Sequence, residues 1–180
     1  MSPRRVFAVP PRGRQPEGSG EPRRGAPVDR EGPGPERRLA ELGLELPALR
    51  PRAGLYEGWV LAGDLLFLSG QGADGWVGRL GSDLTVEQGH KAARDCALNL
   101  LAQARDALGD LDQVAQVVKL VGFVACTPGF TAVPAVVDGA SALLVELFGE
   151  RGRHARSAVG VAALPLGFAV ELELVVRVGR

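Results

Sequence analysis

The chain has 180 residues, of which 46% are hydrophobic, and its 21 basic and 21 acidic side chains give a formal net charge of zero. A chain of this length can bury a core without disulfides or structural metals, and its two cysteines, Cys96 and Cys126, match neither a CxxC motif nor a metal-ligand spacing. The sequence shows no signal-peptide core and no apolar run near the roughly 18 residues of a membrane span. These observations predict a cytoplasmic protein that needs no metal or other cofactor.

The charge is unevenly distributed along the chain. Residues 1–38 contain nine arginines and five acidic side chains, which leaves twelve basic and sixteen acidic side chains in residues 39–180. Because residues 1–38 are also rich in proline and glycine, they are predicted to form a disordered tail, and residues 39–180 a single folded domain. The acidic balance of the domain disfavours nucleic acid as a partner, although the basic tail leaves contact with an acidic molecule open.

The first elements of the domain are predicted to be short. A leucine-rich segment from Leu39 is typical of a short helix or an extended lead-in. Two apolar runs then flank Gly63 and Asp64, which predicts a β-hairpin with a tight turn. The glycine-rich stretch 70–81 lacks both the Lys-Ser/Thr ending of a phosphate loop and the spacing of a dinucleotide fingerprint, so it is interpreted as turns.

Two long amphipathic helices follow, with a buried strand between them. Thr85 and Gln88 form a capping-box pattern at the start of the first helix, which is predicted to run for about 23 residues and to end at Gly109. The segment 117–124, VVKLVGFV, predicts a strand. Apolar residues at helical spacing predict the second helix over residues 132–148.

Residues 154–177 are interpreted as two further strands joined by a Leu-Pro-Leu-Gly turn at 164–167. The second strand alternates strictly between apolar and polar residues, which places Glu171 and Glu173 on one face of the sheet. Two carboxylates on one face are candidate bases.

The first of these two strands carries the candidate cation. Val159 and Val161 are assigned to the apolar face, which puts Arg156, Ala158 and Gly160 on the face of the glutamates. An arginine beside two very small residues leaves room for a ligand. The pattern therefore predicts a recess with one cation and two bases, although an ion pair between the arginine and a glutamate explains the same residues.

The predicted order of elements is β-β-α-β-α-β-β. This order indicates one α+β domain with two long helices packed on one face of a mixed sheet. The uncovered face would carry Lys119, Arg156 and the two glutamates among apolar neighbours, and such a mixture suits a subunit interface around a polar site.

Four motifs that occur in this order resemble the Rid family (reactive intermediate deaminases), also called YjgF-like proteins and formerly L-PSP endoribonucleases. They are Ser69-Gly70-Gln71 after a strand, Ala155-Arg156-Ser157, Leu164-Pro165 and Val170-Glu171-Leu172-Glu173, and the resemblance covers residues 54–177. The resemblance implies a chorismate-mutase-like fold and a homotrimer with three sites in the clefts between subunits.

The resemblance also implies a reaction and the residues that carry it. In similar proteins an arginine, which matches Arg156, binds the carboxylate of an enamine or imine derived from an amino acid, such as 2-aminoacrylate. Glu171 matches a glutamate that positions the attacking water, Tyr56 matches a tyrosine of the N-terminal loop, and Ala158 occupies a substrate-lining position. Hydrolysis to a 2-keto acid and ammonia requires an oriented water and proton transfer, for which no cofactor is needed.

The chain departs from the pattern of the active enzymes at several positions. Ala158 stands where a cysteine is common, Gly160 and His154 replace a glutamate and a proline, and Leu55 precedes the tyrosine where proline is usual. These departures keep a second hypothesis open, namely a non-catalytic trimer that binds a small carboxylate in the same recess.

The other candidate residues support weaker hypotheses. Packing explains Tyr56 as well as a substrate contact does, and Glu173 is interpreted as structural. His90 and His154 are too far apart in the sequence to suggest a metal site or a catalytic triad, and neither Ser69 nor Ser157 has a base at a recognisable spacing. Ribonuclease activity, which the older family name implies, is disfavoured by the acidic domain and the lack of a basic aromatic surface.

Overall fold

The computed structural model describes residues 32–52 and 54–179, so most of the predicted tail lies outside the described residues. The helices and strands are α1 (Pro35–Glu41), β1 (Trp59–Ala62), β2 (Leu65–Gln71), α2 (Val86–Leu108), β3 (Val114–Ala125), α3 (Val133–Phe148), β4 (Ala155–Val161) and β5 (Val170–Val178). Helix α1 begins four residues before Leu39, so its first turn belongs to the segment that the sequence assigned to the tail. No helix within the described residues is long and apolar enough to cross a membrane.

The five strands form one mixed sheet in the order β1-β2-β5-β3-β4. All neighbours pair antiparallel except β3 and β4, which are parallel. Helices α2 and α3 pack side by side against one face, and the buried core lies between them and the sheet. The predicted α+β fold, with two long helices on one face of a mixed sheet, is confirmed.

Local sequence signals account for most of the element boundaries. The Thr85 hydroxyl accepts a hydrogen bond from the backbone N–H of Gln88, and the Gln88 side-chain oxygen accepts one from the backbone N–H of Thr85, so the predicted capping box starts α2. Gly109 ends that helix in the left-handed conformation, at φ 79°, which a residue with a side chain adopts only with strain. The β1–β2 hairpin turns at Gly63 and Asp64 as predicted.

A close approach between the two long helices fixes the position of α3. A Cβ atom added at Gly139 would lie 1.9 Å from the carbonyl oxygen of His90 on α2. Only glycine fits at this point, because any side chain would push the helices apart. The position of α3 against α2, and with it the position of Asp138 next to Gly139, therefore depends on this glycine.

The last two strands do not form the predicted hairpin. β3 lies between β4 and β5 and pairs with both. β4 follows α3 and is parallel to β3, which is the usual result when a helix connects two strands of one sheet. The turn at 164–167 was recognised as a turn, but a sequence pattern cannot show that a third strand separates the two strands it connects.

The predicted face of Arg156 is also wrong. Arg156 pairs in register with Leu120, which is fully buried under the helices, whereas Val159 pairs with Phe123, opposite Glu171. Side chains of paired residues lie on the same face, so Arg156 lies on the helix-covered face and Glu171 on the uncovered one. Val159 is 46% exposed, and its apolar character is not a sign of core packing within this chain.

The uncovered face of the sheet combines apolar and charged side chains. Its apolar part includes Val60, Phe67 and Val159, each about half exposed. A recess of about 210 Å³ opens among the strands, and Lys119 and Glu173 line its polar side. This face therefore has the predicted mixture of apolar and charged side chains, except that Arg156 lies on the other face.

Candidate functional site

Arg156 lies where the edge strand β4 meets α3. Its Nη1 donates to Asp138 Oδ1 at 2.6 Å and to the Ser141 hydroxyl at 3.0 Å. Asp138 and Ser141 are three residues apart on α3, so they lie on the same side of that helix. The Arg156 side chain is 23% exposed and that of Asp138 59%, which leaves this ion pair accessible from solvent.

His154 extends this arrangement into a chain of hydrogen bonds. Its Nδ1 lies 2.6 Å from the carbonyl oxygen of Gly152, and its Nε2 lies 3.1 Å from the Ser141 hydroxyl. A carbonyl oxygen can only accept, so Nδ1 carries the proton and Nε2 of the neutral ring accepts from Ser141. The Ser141 oxygen in turn accepts a hydrogen bond from Arg156. The hydrogen bonds therefore all run in one direction, from Arg156 through Ser141 and His154 to the Gly152 carbonyl.

The electrostatic surroundings favour the neutral form of His154. Burial lowers the pKa of His154 below its usual value, and the positive charge of Arg156 lowers it further, while the hydrogen bond to the Gly152 carbonyl acts in the opposite direction. Uncharged at neutral pH, the ring is able to accept the Ser141 proton. We call Asp138, Ser141, His154 and Arg156 the α3–β4 cluster.

A second group of polar residues surrounds Glu171. Its carboxylate lies against Gly70 of β2, where an added Cβ atom would be 2.4 Å from Oε1. Burial raises the pKa of Glu171, and the negative charge of Glu173 raises it further. Ser69 donates to the carbonyl oxygen of Glu57 at 2.6 Å, which brings the Tyr56 loop to the same end of β2. We call Tyr56, Ser69, Gly70 and Glu171 the β2–β5 group.

The two groups are separated within one chain. Arg156 lies on the helix-covered face of edge strand β4, whereas Glu171 lies on the uncovered face of β5, with β3 between them. Tyr56 precedes β1, the strand at the other edge of the sheet. The chain therefore does not bring Arg156, Glu171 and Tyr56 together around one ligand, and the alternative prediction of an ion pair between Arg156 and Glu171 or Glu173 is wrong.

The small residues near Arg156 have different surroundings from those predicted. Ala158 packs against the core on the helix-covered face. A Cβ atom added at Gly160 would lie 2.8 Å from the Cys126 sulfur, so glycine accommodates that thiol. On the uncovered face, Ser157 accepts a 2.8 Å hydrogen bond from Lys119.

Sequence reasoning missed Asp138 and Ser141. Both are polar residues in a helix whose other side chains are mostly apolar, and their i, i+3 spacing was the available signal. It could have indicated a polar stripe on α3, but the partner strand of that stripe is set by the parallel pairing of β4 with β3.

Comparison with known proteins decides the family. Residues 36–176 match the family model described as "YjgF/chorismate_mutase-like, putative endoribonuclease". The chain belongs to this YjgF/chorismate-mutase-like family. The resemblance inferred from its motifs is thereby confirmed.

Three relatives of the chain show how far the similarity extends. Protein TCP17 of Trypanosoma cruzi is 48% identical over 148 residues, which are 79% of this chain and 92% of the relative. A protein of unknown function from Agrobacterium tumefaciens has a crystal structure with a TM-score of 0.75 and 41% identity, covering 81% of this chain and 94% of that one. A crystal structure from Shewanella oneidensis, described as a "putative endoribonuclease", gives a TM-score of 0.78 and 36% identity over 81% of this chain and 100% of that one.

Proposed function

We propose that the protein hydrolyses enamine or imine intermediates derived from amino acids to 2-keto acids and ammonia, and that Arg156 binds the substrate carboxylate. The observation that carries this proposal is the state of the guanidinium. Nη1 makes the hydrogen bonds to Asp138 and Ser141, and Nε and Nη2 donate to no residue that the structure describes. The guanidinium is planar and is held through Nη1, so its Nε and Nη2 groups can donate two parallel hydrogen bonds to one carboxylate.

The residues of the β2–β5 group supply the remaining chemistry in this proposal. An imine carbon is electrophilic, so catalysis requires an oriented water and a group that exchanges protons. Glu171 has a raised pKa because of burial and the neighbouring Glu173, which suits a carboxylate that accepts a proton from water. Tyr56 contacts the substrate from the loop beside Ser69, and Ala158 borders the Arg156 side of the site.

The complete site in this proposal is shared between two subunits. Arg156 and Glu171 lie on opposite faces of one sheet, so one substrate contacts both only if they come from different copies of the chain. Each chain has two unlike half-sites, and the pairing of unlike surfaces closes into a ring when the rotation between copies allows it. We therefore propose a homotrimer with sites between its subunits, and the exposed apolar side chains of the uncovered face support such a contact.

The cytoplasm is the proposed location. Cys96 and Cys126 are both free thiols, which agrees with a reducing compartment.

The direct test measures ammonia release from imines that an amino-acid oxidase generates in place. Arg156→Ala is expected to lower kcat/KM by about 100-fold or more, because the carboxylate loses its charged partner. Arg153→Ala is the matched control, since Arg153 is exposed and pairs only with Glu150 among the described residues. Equal imine hydrolysis by the wild type and Arg156→Ala would contradict the proposal.

A second candidate function is carboxylate binding without turnover. The observation that favours it is that Ala158, which stands where the active enzymes commonly have a cysteine, packs against the core and brings no polar side chain to the site. In that case 2-keto acids would stabilise the protein against thermal unfolding while no imine is hydrolysed faster than in buffer. Clear turnover that depends on Arg156 excludes this candidate.

A further inference from the structure

Arg156, the cation of the proposed substrate site, already forms an ion pair with Asp138. Arg156 Nη1 lies 2.6 Å from Asp138 Oδ1, so the pair has no net charge. A ligand with a single carboxylate approaches one cation and one anion at nearly the same distance. Its attraction to Arg156 is therefore offset by repulsion from Asp138, since like charges within about 4–6 Å disfavour each other.

Asp138 has the exposure and the unused acceptor that a ligand contact requires. Its side chain is 59% exposed, and only Oδ1 accepts from Arg156. Oδ2 accepts no hydrogen bond from the residues that the structure describes. The free edge of Arg156 and the free oxygen of Asp138 thus form adjacent donor and acceptor positions on one accessible surface.

We propose that Asp138 binds the cationic nitrogen of the ligand, so that the Asp138–Arg156 pair selects α-iminium and α-amino acids over carboxylates that lack a neighbouring cation. This inference rests on the proposed function and names its substrate class more closely. An α-amino or α-iminium acid carries its two opposite charges on neighbouring carbon atoms. Such a ligand aligns its carboxylate with Arg156 and its nitrogen with Asp138, and each charge then faces one of opposite sign.

This arrangement has a consequence for the reaction. A carboxylate beside the imine nitrogen favours the protonated iminium, whose carbon is more electrophilic than that of the neutral imine. Water adds its oxygen to that carbon, the carbon–nitrogen bond breaks, and iminium plus water gives 2-keto acid plus ammonium without an oxidant. The 2-keto acid has lost the cation, so Asp138 disfavours the product that remains on Arg156 and promotes its release.

The test compares two stable ligands that differ only at this position. Binding of L-alanine and of pyruvate to the full chain is measured by titration calorimetry at pH 7, for the wild type and for Asp138→Asn. The wild type is expected to bind L-alanine at least tenfold more tightly than pyruvate. In Asp138→Asn the preference is expected to disappear or reverse, with pyruvate bound about tenfold more tightly than by the wild type. Asparagine has the size of aspartate and keeps an acceptor for Arg156, and position 138 is exposed, so the variant is expected to fold.

Control variants separate selectivity from simple loss of the site. Ser141→Ala removes the other hydrogen bond to Arg156 without a change of charge, so it should weaken both ligands by a similar factor and keep their ratio. An unchanged ratio in Asp138→Asn, equal weakening of both ligands, or failure of the wild type to bind either ligand would overturn the inference. Selective binding without imine hydrolysis would leave the inference intact and refute the proposed function, whereas hydrolysis without selectivity would do the reverse.

Discussion

The two faces of the sheet differ in the charged neighbours that surround their candidate site residues. On the helix-covered face, Arg156 has an anion, Asp138, at 2.6 Å in the same chain, and Ser141 links it to a neutral His154. On the uncovered face, Glu171 has a like charge, Glu173, as its electrostatic neighbour. Within the described residues, the arginine on the helix-covered face has a partner of opposite charge, whereas the pKa of the carboxylate on the uncovered face is raised by burial and by a like charge.

This difference separates contacts that form within one chain from contacts that require a second copy of the chain. The α3–β4 cluster depends on how α3 is packed, so it should be sensitive to changes in the core. The uncovered face carries apolar side chains that are about half exposed, so it should be sensitive to changes in assembly. Four changes test this contrast.

The largest effect is expected from Gly139→Ala. The new methyl group would lie 1.9 Å from the His90 carbonyl oxygen, so α3 must move away from α2. Overpacking of this kind should lower the free energy of unfolding by about 3 kcal/mol and displace Asp138. Urea denaturation measures the loss, and Ala142→Ser, at an exposed position of the same helix, should change it by no more than about 0.5 kcal/mol. Equal stability of Gly139→Ala and the wild type would show that the helices can separate without cost.

The next largest effect is expected from Val159→Asp on the uncovered face. If this face is covered by another copy of the chain, an unpaired carboxylate there should weaken association by about 3 kcal/mol, or roughly 100-fold. Analytical ultracentrifugation should then show dissociation, while circular dichroism shows an unchanged fold. Ala135→Asp, on the exposed side of α3, serves as the control and should leave the assembly intact. Assembly that survives Val159→Asp would place the interface elsewhere.

A smaller effect concerns the pH dependence contributed by His154. Its pKa is lowered in the folded state, so the unfolded chain binds the proton more readily. The stability that neutral His154 contributes is therefore present above its ordinary value near 6.5 and is lost as pH falls toward the lower folded-state value. Arg156 on β4 is the charged group that lowers the pKa of this ring, and Asp138 on α3 pairs with that arginine. Denaturation of His154→Gln between pH 5 and 8 should lack this loss, and a parallel curve for both proteins would contradict the assignment of a neutral ring.

The smallest effect is expected from Glu171→Gln. Because the folded state raises the pKa of Glu171, the protonated carboxyl is favoured, and stability decreases as pH rises from the ordinary value of 4.5 through the folded-state value. At neutral pH the uncharged glutamine should therefore raise the free energy of unfolding slightly, by at most about 0.5 kcal/mol. Glu173→Gln should have a weaker influence, since it removes the lesser cause of the raised pKa. A loss of stability in Glu171→Gln would show that the charged carboxylate has a stabilising partner.

The sequence was informative where structure depends on neighbours along the chain. The capping box of Thr85 and the left-handed glycine at 109 are local signals, and both ends of α2 were predicted from them. The motif that contains Arg156 was recognised, but its face was wrong, because a strand of alternating apolar and small residues has no preferred side until its neighbours are known. The partner of Arg156 was missed for the same reason, since Asp138 lies on a helix that only the parallel pairing of β4 with β3 brings alongside.

The position of β5 in the sheet has a consequence for how the chain folds. This strand is the last of the described elements, yet it lies in the middle of the sheet, between β2 and β3. Until Val170–Val178 has been synthesised, the hairpin of β1 and β2 and the pair of β3 and β4 remain two separate fragments, each with an open strand edge. Closure of the sheet therefore depends on contacts between distant parts of the sequence, which slows folding, and a nascent chain that stalls before this strand would expose both edges to aggregation.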